Sequence, residues 1–312
     1  MKRIPILLTV LFLCFSISAQ NNKSENQWTI ELTEANTILE YLPINEILNI
    51  EKLIIKGCIG VDDIEIIHRM SSLKELDLLG ITSFSFGGMA AQDSRINLTI
   101  KDMYSLKRIV LPQSIPNLDI TFSWLSGLEE IVFSPHTQKL RFSITHSDIK
   151  KIEFPPNAII ENLYVNECEK LGLLWMWDSK GVKQVNEDRY YPPTPSIYIK
   201  KVGEDCLIAL PQGCTNSNIV SYAPLTIVIP SGLEILTCDE LGSVWKPFCC
   251  KKRIYCLSST TPKFKHQGCV IYCMQSNVKE IFMSAGDYQS ELNTMSIDQL
   301  SQKIKEEREK RK

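Results

Sequence analysis

The chain has 312 residues, 44% hydrophobic and 22% charged, which suits a packed core and excludes a disordered polymer. Lysine and arginine number 34 against 36 acidic residues, so the formal charge of -2 advertises neither nucleic acid nor an anionic membrane surface. With 14 glycines and 15 prolines, collagen-like and low-complexity classes are excluded as well.

Residues 1–19 have the order of a signal peptide. Lys2 and Arg3 give a positive start, Ile4 to Phe15 is apolar except for Thr9, and Ser16-Ile17-Ser18-Ala19 precedes an expected cut at Gln20. An exported protein of the periplasm, cell surface or extracellular space follows. No other stretch reaches the roughly 18 apolar residues of a transmembrane helix, so no membrane span is expected. Residues 20–49, with Trp28, Ile30, Leu39, Leu42 and Leu48, are predicted to cap the N-terminal end. A helix there should start near Thr33 and stop at Pro43.

From residue 50 to 288 the pattern is repetitive. Motifs of the form L-x-x-L-x-L begin at Ile50, Leu73, Leu106, Leu128, Ile149 and Leu171, in steps of 23, 33, 22, 21 and 22. A second series rides in phase: Leu98-Thr99-Ile100, Leu118-Asp119-Ile120, Leu140-Arg141-Phe142 and Leu163-Tyr164-Val165. Apolar residues alternate within each motif, the period of a strand with one buried face. About 22 residues therefore make one coil of two short strands, and coils must stack to bury their inner faces. Ile109, Ile131, Ile152 and Leu174 are expected in one inward column, with Leu111, Phe133, Phe154 and Met176 in the next. Insertions at 79–95 and 178–195 break the period and should form loops, which in solenoids often lie on the binding face.

Residues 289–312 are predicted to form a charged helical tail. Ser296-x-x-Gln299 reads as a capping box ahead of Ile297, Leu300 and Ile304, and nine of the last ten residues are charged, six of them basic. The tail is expected to be solvated. Ten cysteines follow the signal peptide, eight of them between 206 and 273, where disulfides and buried free thiols are both open. Cys256 and Cys273 occupy inward positions, and Cys269 cannot bridge Cys273 if both lie on one strand.

Several segments carry a family resemblance. The stretch from Leu53 through Asp62-Asp63 and His68 to Leu73-Lys-Glu-Leu-Asp-Leu78 resembles the opening of BspA-like leucine-rich-repeat proteins. Thr226-Ile-Val-Ile-Pro-Ser-Gly232 with Trp245-Lys-Pro-Phe248, and Arg253-Ile-Tyr-Cys256 with Thr261-Pro262, resemble later units of that family. The resemblance implies a mainly β leucine-rich-repeat solenoid in an exported bacterial interaction protein. It carries no catalytic residues.

Catalytic signatures are absent: HExxH, G-x-S-x-G, Walker A and G-x-G-x-x-G do not occur. His146 lies two residues from Asp148, and Asp62-Asp63 suit helix capping. No enzyme, cofactor or metal site is expected. The register leaves surface chemistry as the functional signal. Trp175 and Trp177 point outward, and Tyr164, Tyr198, Tyr190 and Tyr191 gather about the same insertion, giving a candidate ligand site of six aromatic residues. A binding module for a protein or glycan is the expected function, with an adhesin-like spacer or assembly unit of the envelope as the alternative.

Overall fold

In the computed structural model the described residues are 22–24, 26–86, 89–90, 95–181, 197–203, 206–214, 216–220, 225–229, 235–239, 252–256, 263–264, 269–274 and 292–295, with 302, 305, 306 and 308–311 near the C-terminus. The signal-peptide segment lies outside them. They form a parallel β-solenoid of about eight turns with a spacing near 22 residues. Three sheets build it. The first runs through strands Gln27–Leu32, Lys52–Gly60, Glu75–Phe86, Arg108–Val110 and Glu130–Val132. The third continues from Lys151–Glu153 and Leu173–Trp175 through Cys206–Ala209, Leu225–Ile229, Lys252–Cys256 and Cys269–Met274 to Leu292–Met295. The second faces both across the core and contains Arg95–Lys101, Asn117–Leu125, Lys139–Ser147, Ile159–Cys168, Ile197–Val202 and Asn216–Val220.

Register repeats the sequence period. Ile152, Leu174, Ile208, Ile227, Ile254, Ile271 and Leu292 are partners in one row of the third sheet. The inward columns expected from the repeat are found: Ile109, Leu111, Ile152, Phe154, Leu174 and Met176 are buried, and Ile131 and Phe133 pack half-buried against them. Those two flank the place where the first sheet ends and the third begins. Four phenylalanines fill it. Phe133 and Phe154 lie 5.2 Å apart, and Phe142 of the second sheet meets both edge-on at 5.6 and 5.4 Å, with Phe122 at 5.7 Å on its other side. Edge-to-face contact sets the positive ring edge against the negative face of its neighbour.

The N-terminal end differs from a simple cap. Gln27–Leu32 pairs in parallel with Lys52–Gly57, so residues 20–49 contribute a strand to the solenoid. The helix of this segment is Ile38–Tyr41, five residues later than the expected start at Thr33, and it ends before Pro43. Trp28, Ile30 and Leu42 are buried, whereas Leu39 and Leu48 face solvent. Helix Val61–His68 stands where later coils have a second-sheet strand, and His68 Nε2 meets the Thr99 carbonyl at 3.2 Å on that sheet's edge. An unpaired edge is thereby covered. Asp63, 1% exposed, locks the two helices together: its carboxylate accepts from the backbone N–H groups of Asn36, Ile38 and Gly60 at 2.7, 2.9 and 2.8 Å.

The insertion at 79–95 is not wholly a loop. Strand Glu75–Phe86 runs on through it, and Phe86 pairs antiparallel with Met89. Most of the 178–195 insertion lies outside the described residues, but its first part joins the second sheet, where Lys180–Gly181 pairs with Ile159–Ile160. Cys269 and Cys273 share one strand, as the reading against a bridge between them requires, and Cys256 and Cys273 are register partners.

Truncating Phe142 opens a cavity at the junction of all three sheets. Phe142→Ala is expected to cost about 3–5 kcal/mol, whereas Ser143→Ala, one residue along and outward, should cost about 0.5 kcal/mol or less. Thermal melts of both variants check the register, and equal losses would contradict it.

Candidate functional site

Outward residues of the second sheet align in rows. Thr99, Thr121, Ser143, Tyr164 and Tyr198 make one, and Asn97, Asp119, Arg141 and Asn162 its neighbour. Tyr164 and Tyr198 are in register on adjacent strands, so their rings stack nearly parallel at 5.2 Å with 8° between planes. Glu161 lies beside the second row. It accepts from Arg95 and Arg141, each at 3.0 Å, and Arg141 also reaches Asp119 at 3.8 Å. Burial alone would push the Glu161 carboxyl up, but the two guanidinium groups outweigh it and hold the group below the usual carboxylate range.

Beside these rows runs a third, set by backbone rather than by alternation. Asp102, Trp124, His146, Glu167 and Lys201 have left-handed φ angles of 57, 56, 51, 54 and 49°. Each closes the exposed part of a strand, and the next residue (Met103, Leu125, Ser147, Cys168 or Val202) is buried. The left-handed step leaves two consecutive side chains outward before the chain turns back into the core. Such a conformation costs a non-glycine residue about 1–2 kcal/mol, which repeated stacking of coils offsets.

Stacking continues through the side chains of this row. Trp124 lies on His146 at 3.8 Å with 17° between the rings, His146 Nε2 pairs with Glu167, and Lys201 Nζ donates to Glu167 Oε1 at 2.9 Å. The Lys201 hydrogen bond, helped by His146, holds the Glu167 carboxyl below its usual range against partial desolvation. Trp124 remains 49% exposed and Tyr164 37%. The outer face of this sheet thus carries two stacked ring pairs among paired charges.

Of the six aromatic residues expected to share a site, Tyr164 and Tyr198 stack together, and Trp175 and Trp177 lie apart from them. Trp175 does point outward, as its position in the strand requires, but it is only 5% exposed. It belongs to a small apolar cluster with Leu173, Leu207, Ala209 and Val228, and its Nε1–H donates to Asp178 Oδ2 at 3.0 Å. Trp177 packs half-buried against that cluster. Tyr164 and Tyr198 stand on the outer face of a different sheet, while Tyr190 and Tyr191 lie outside the described residues. Sequence reasoning passed over Trp124, Glu167 and Lys201. Their signal was the spacing of 102, 124, 146 and 167, in steps of 22, 22 and 21.

Other candidate chemistry disperses. Asp148 pairs with Lys170 rather than with His146. Burial lowers the His68 pKa against the pull of Glu65 and the Thr99 carbonyl. Among the described residues no group of three or more His, Cys, Asp or Glu side chains is placed to hold a metal ion, and no helix is long and apolar enough to cross a membrane. A shallow hollow of about 360 Å³ in the first sheet is lined by Asn26, Gln27 and the ion pairs Lys52–Glu75 and Lys74–Glu51. Compared with known proteins, the chain matches no family model, no curated protein and no solved structure.

Cys58, Cys168 and Cys206 are free thiols, the last two buried, and Cys214 is buried as well. Burial pushes Cys168 up to about 12 and raises Cys206 as well, so neither supplies a thiolate at neutral pH. Iodoacetamide at pH 8 should leave both unmodified in the folded chain and label both in guanidinium. Peptide mass mapping checks this, and rapid native labelling of either would contradict the inward placement of these strands.

Proposed function

We propose that this chain is an exported, non-enzymatic binding module of the BspA-like leucine-rich-repeat type, which recognises a protein partner through the outer face of its second sheet. The carrying observation is the pair of aromatic stacks, Trp124 on His146 and Tyr164 on Tyr198, held on an otherwise polar sheet face. Rigid aromatic groups lose little conformational freedom on binding and commonly anchor protein interfaces. Their surroundings suit that role: Arg141, Glu161, Glu167 and Lys201 form a polar rim already paired internally. A glycan would need free ring faces and a concave bed, whereas Tyr164 and Tyr198 cover one face of each other. The leucine-rich-repeat assignment rests on the L-x-x-L-x-L period and on the early coils, where strand Lys52–Gly60 leads into helix Val61–His68. Export rests on the order of charged, apolar and small residues in 1–19.

The test pairs a pull-down from envelope and host-surface extracts with a glycan array, using the mature chain and the triple variant Trp124→Ala, Tyr164→Ala, Tyr198→Ala. Captured protein should bind the variant about thirtyfold more weakly or worse, as expected for losing at least 2 kcal/mol of anchor contacts. The melting temperature should change little, because these rings are partly exposed. An array hit with no captured protein would replace the protein partner by a glycan. Unchanged capture by the folded variant removes this face from consideration.

A further inference from the structure

The outer face of the third sheet changes character along the stack. In the first sheet the outward positions are mixed: Glu75, Asp77, Arg108 and Glu130 are fit for water, while Val110 is buried and Val132 half-buried. In the third sheet one outward row begins at Glu153 and continues through Trp175, Ala209 and Val228 to the register positions of Tyr255, Tyr272 and Asn293. Leu173, Trp175, Leu207, Ala209 and Val228 point away from the main core yet are at most 5% exposed. Outward apolar groups without exposure require a cover.

Part of that cover is visible. The Arg308 guanidinium lies 4.3 Å from the centre of the Trp175 ring and 3.6 Å from Glu153 Oε1. Around it the chain makes helical hydrogen bonds, Lys310 N–H to Glu306 O and Arg311 N–H to Arg308 O, each 3.1 Å. Met295 ends the last strand of the third sheet, five strand spacings from Leu173–Trp175. At about 4.8 Å per spacing that is roughly 24 Å. Thirteen residues separate Met295 from Arg308, enough for about 20 Å as a helix and about 40 Å if extended. Segment 296–308 is therefore long enough to cross the strands of this face. In the sequence Ile297, Leu300 and Ile304 follow helical spacing, the pattern of one apolar stripe.

We propose that the outer face of the third sheet is a docking groove for a basic helix with one apolar stripe, and that its occupant is this chain's own segment 296–312, anchored by Arg308 between Trp175 and Glu153. The groove is distinct from the second-sheet surface proposed as the partner site. Among the described residues its floor is apolar and its far end carries the Glu153 carboxylate, which fits a segment with both apolar and basic residues.

Two measurements test it. In the whole chain, hydrogen exchange followed by mass spectrometry should show a protected tail. Arg308→Ala should speed that exchange at least tenfold and leave strands Asn117–Leu125 and Lys139–Ser147 unchanged. In a chain ending at Met295, a fluorescent peptide of residues 296–312 should bind, and it should bind the whole chain at least tenfold more weakly because the groove is filled. Tail exchange at the unstructured rate, or equal peptide binding to both chains, overturns the proposal. So does failure to bind a truncated chain that still melts cooperatively. If the truncated chain does not fold, the exchange comparison alone decides. Tail protection lost on dilution, together with dissociation of a dimer, would place the segment on a second copy and overturn its intrachain assignment.

Discussion

Parallel, in-register stacking is the constraint on which everything else here depends. One coil of about 22 residues has two strands and no partner for its inward face, so its apolar side chains are buried only by the coils above and below. The aliphatic row from Ile152 to Leu292 is the direct result, as is the matching of each strand to its successor. Stacking also multiplies small local choices. A left-handed residue at one corner is a modest strain, but the same choice at Asp102, Trp124, His146, Glu167 and Lys201 aligns five side chains into a surface ladder. The most exposed aromatic contact of the molecule's described surface thus comes from backbone repetition, not from any motif.

A stack has two ends and two outer faces, and each is managed by different chemistry. At the N-terminal end a helix replaces a strand, and the buried Asp63 carboxylate satisfies three backbone donors that would otherwise lack partners. Each hydrogen bond to such a charged acceptor contributes about 1.5–3 kcal/mol, which outweighs the cost of burying the carboxylate only because all three are present. The second sheet's outer face is left to solvent and is polar except for its aromatic pairs. The third sheet's outer face is apolar at Leu173, Trp175, Leu207, Ala209 and Val228, and Arg308 near the C-terminus lies against Trp175.

Much of this was legible in the residues. The period, the two strands per coil and the inward columns followed from L-x-x-L-x-L and its in-phase partner, because alternation reports burial directly. The direction of Trp175 was also readable. Its burial was not, since alternation says which way a side chain points and nothing about what lies on top of it. Covering by residues more than a hundred positions away leaves no local trace. The helix at Val61–His68 carries the signal of Asp62-Asp63, and the left-handed row has little in residue type, because only Asp102 and His146 are of types enriched in that conformation.

The distance between Thr99 and Tyr198 is the most direct measure of the stack. They are 99 residues apart in sequence yet separated by four strand spacings in one row, about 19 Å between backbones. Nitroxide labels at these two positions, introduced as unnatural amino acids so that the cysteines are untouched, should give a narrow distribution near 20–25 Å by pulsed dipolar spectroscopy, allowing for label length. A broad distribution, or one centred beyond about 35 Å, would contradict the parallel register on which the fold and both proposed surfaces rest.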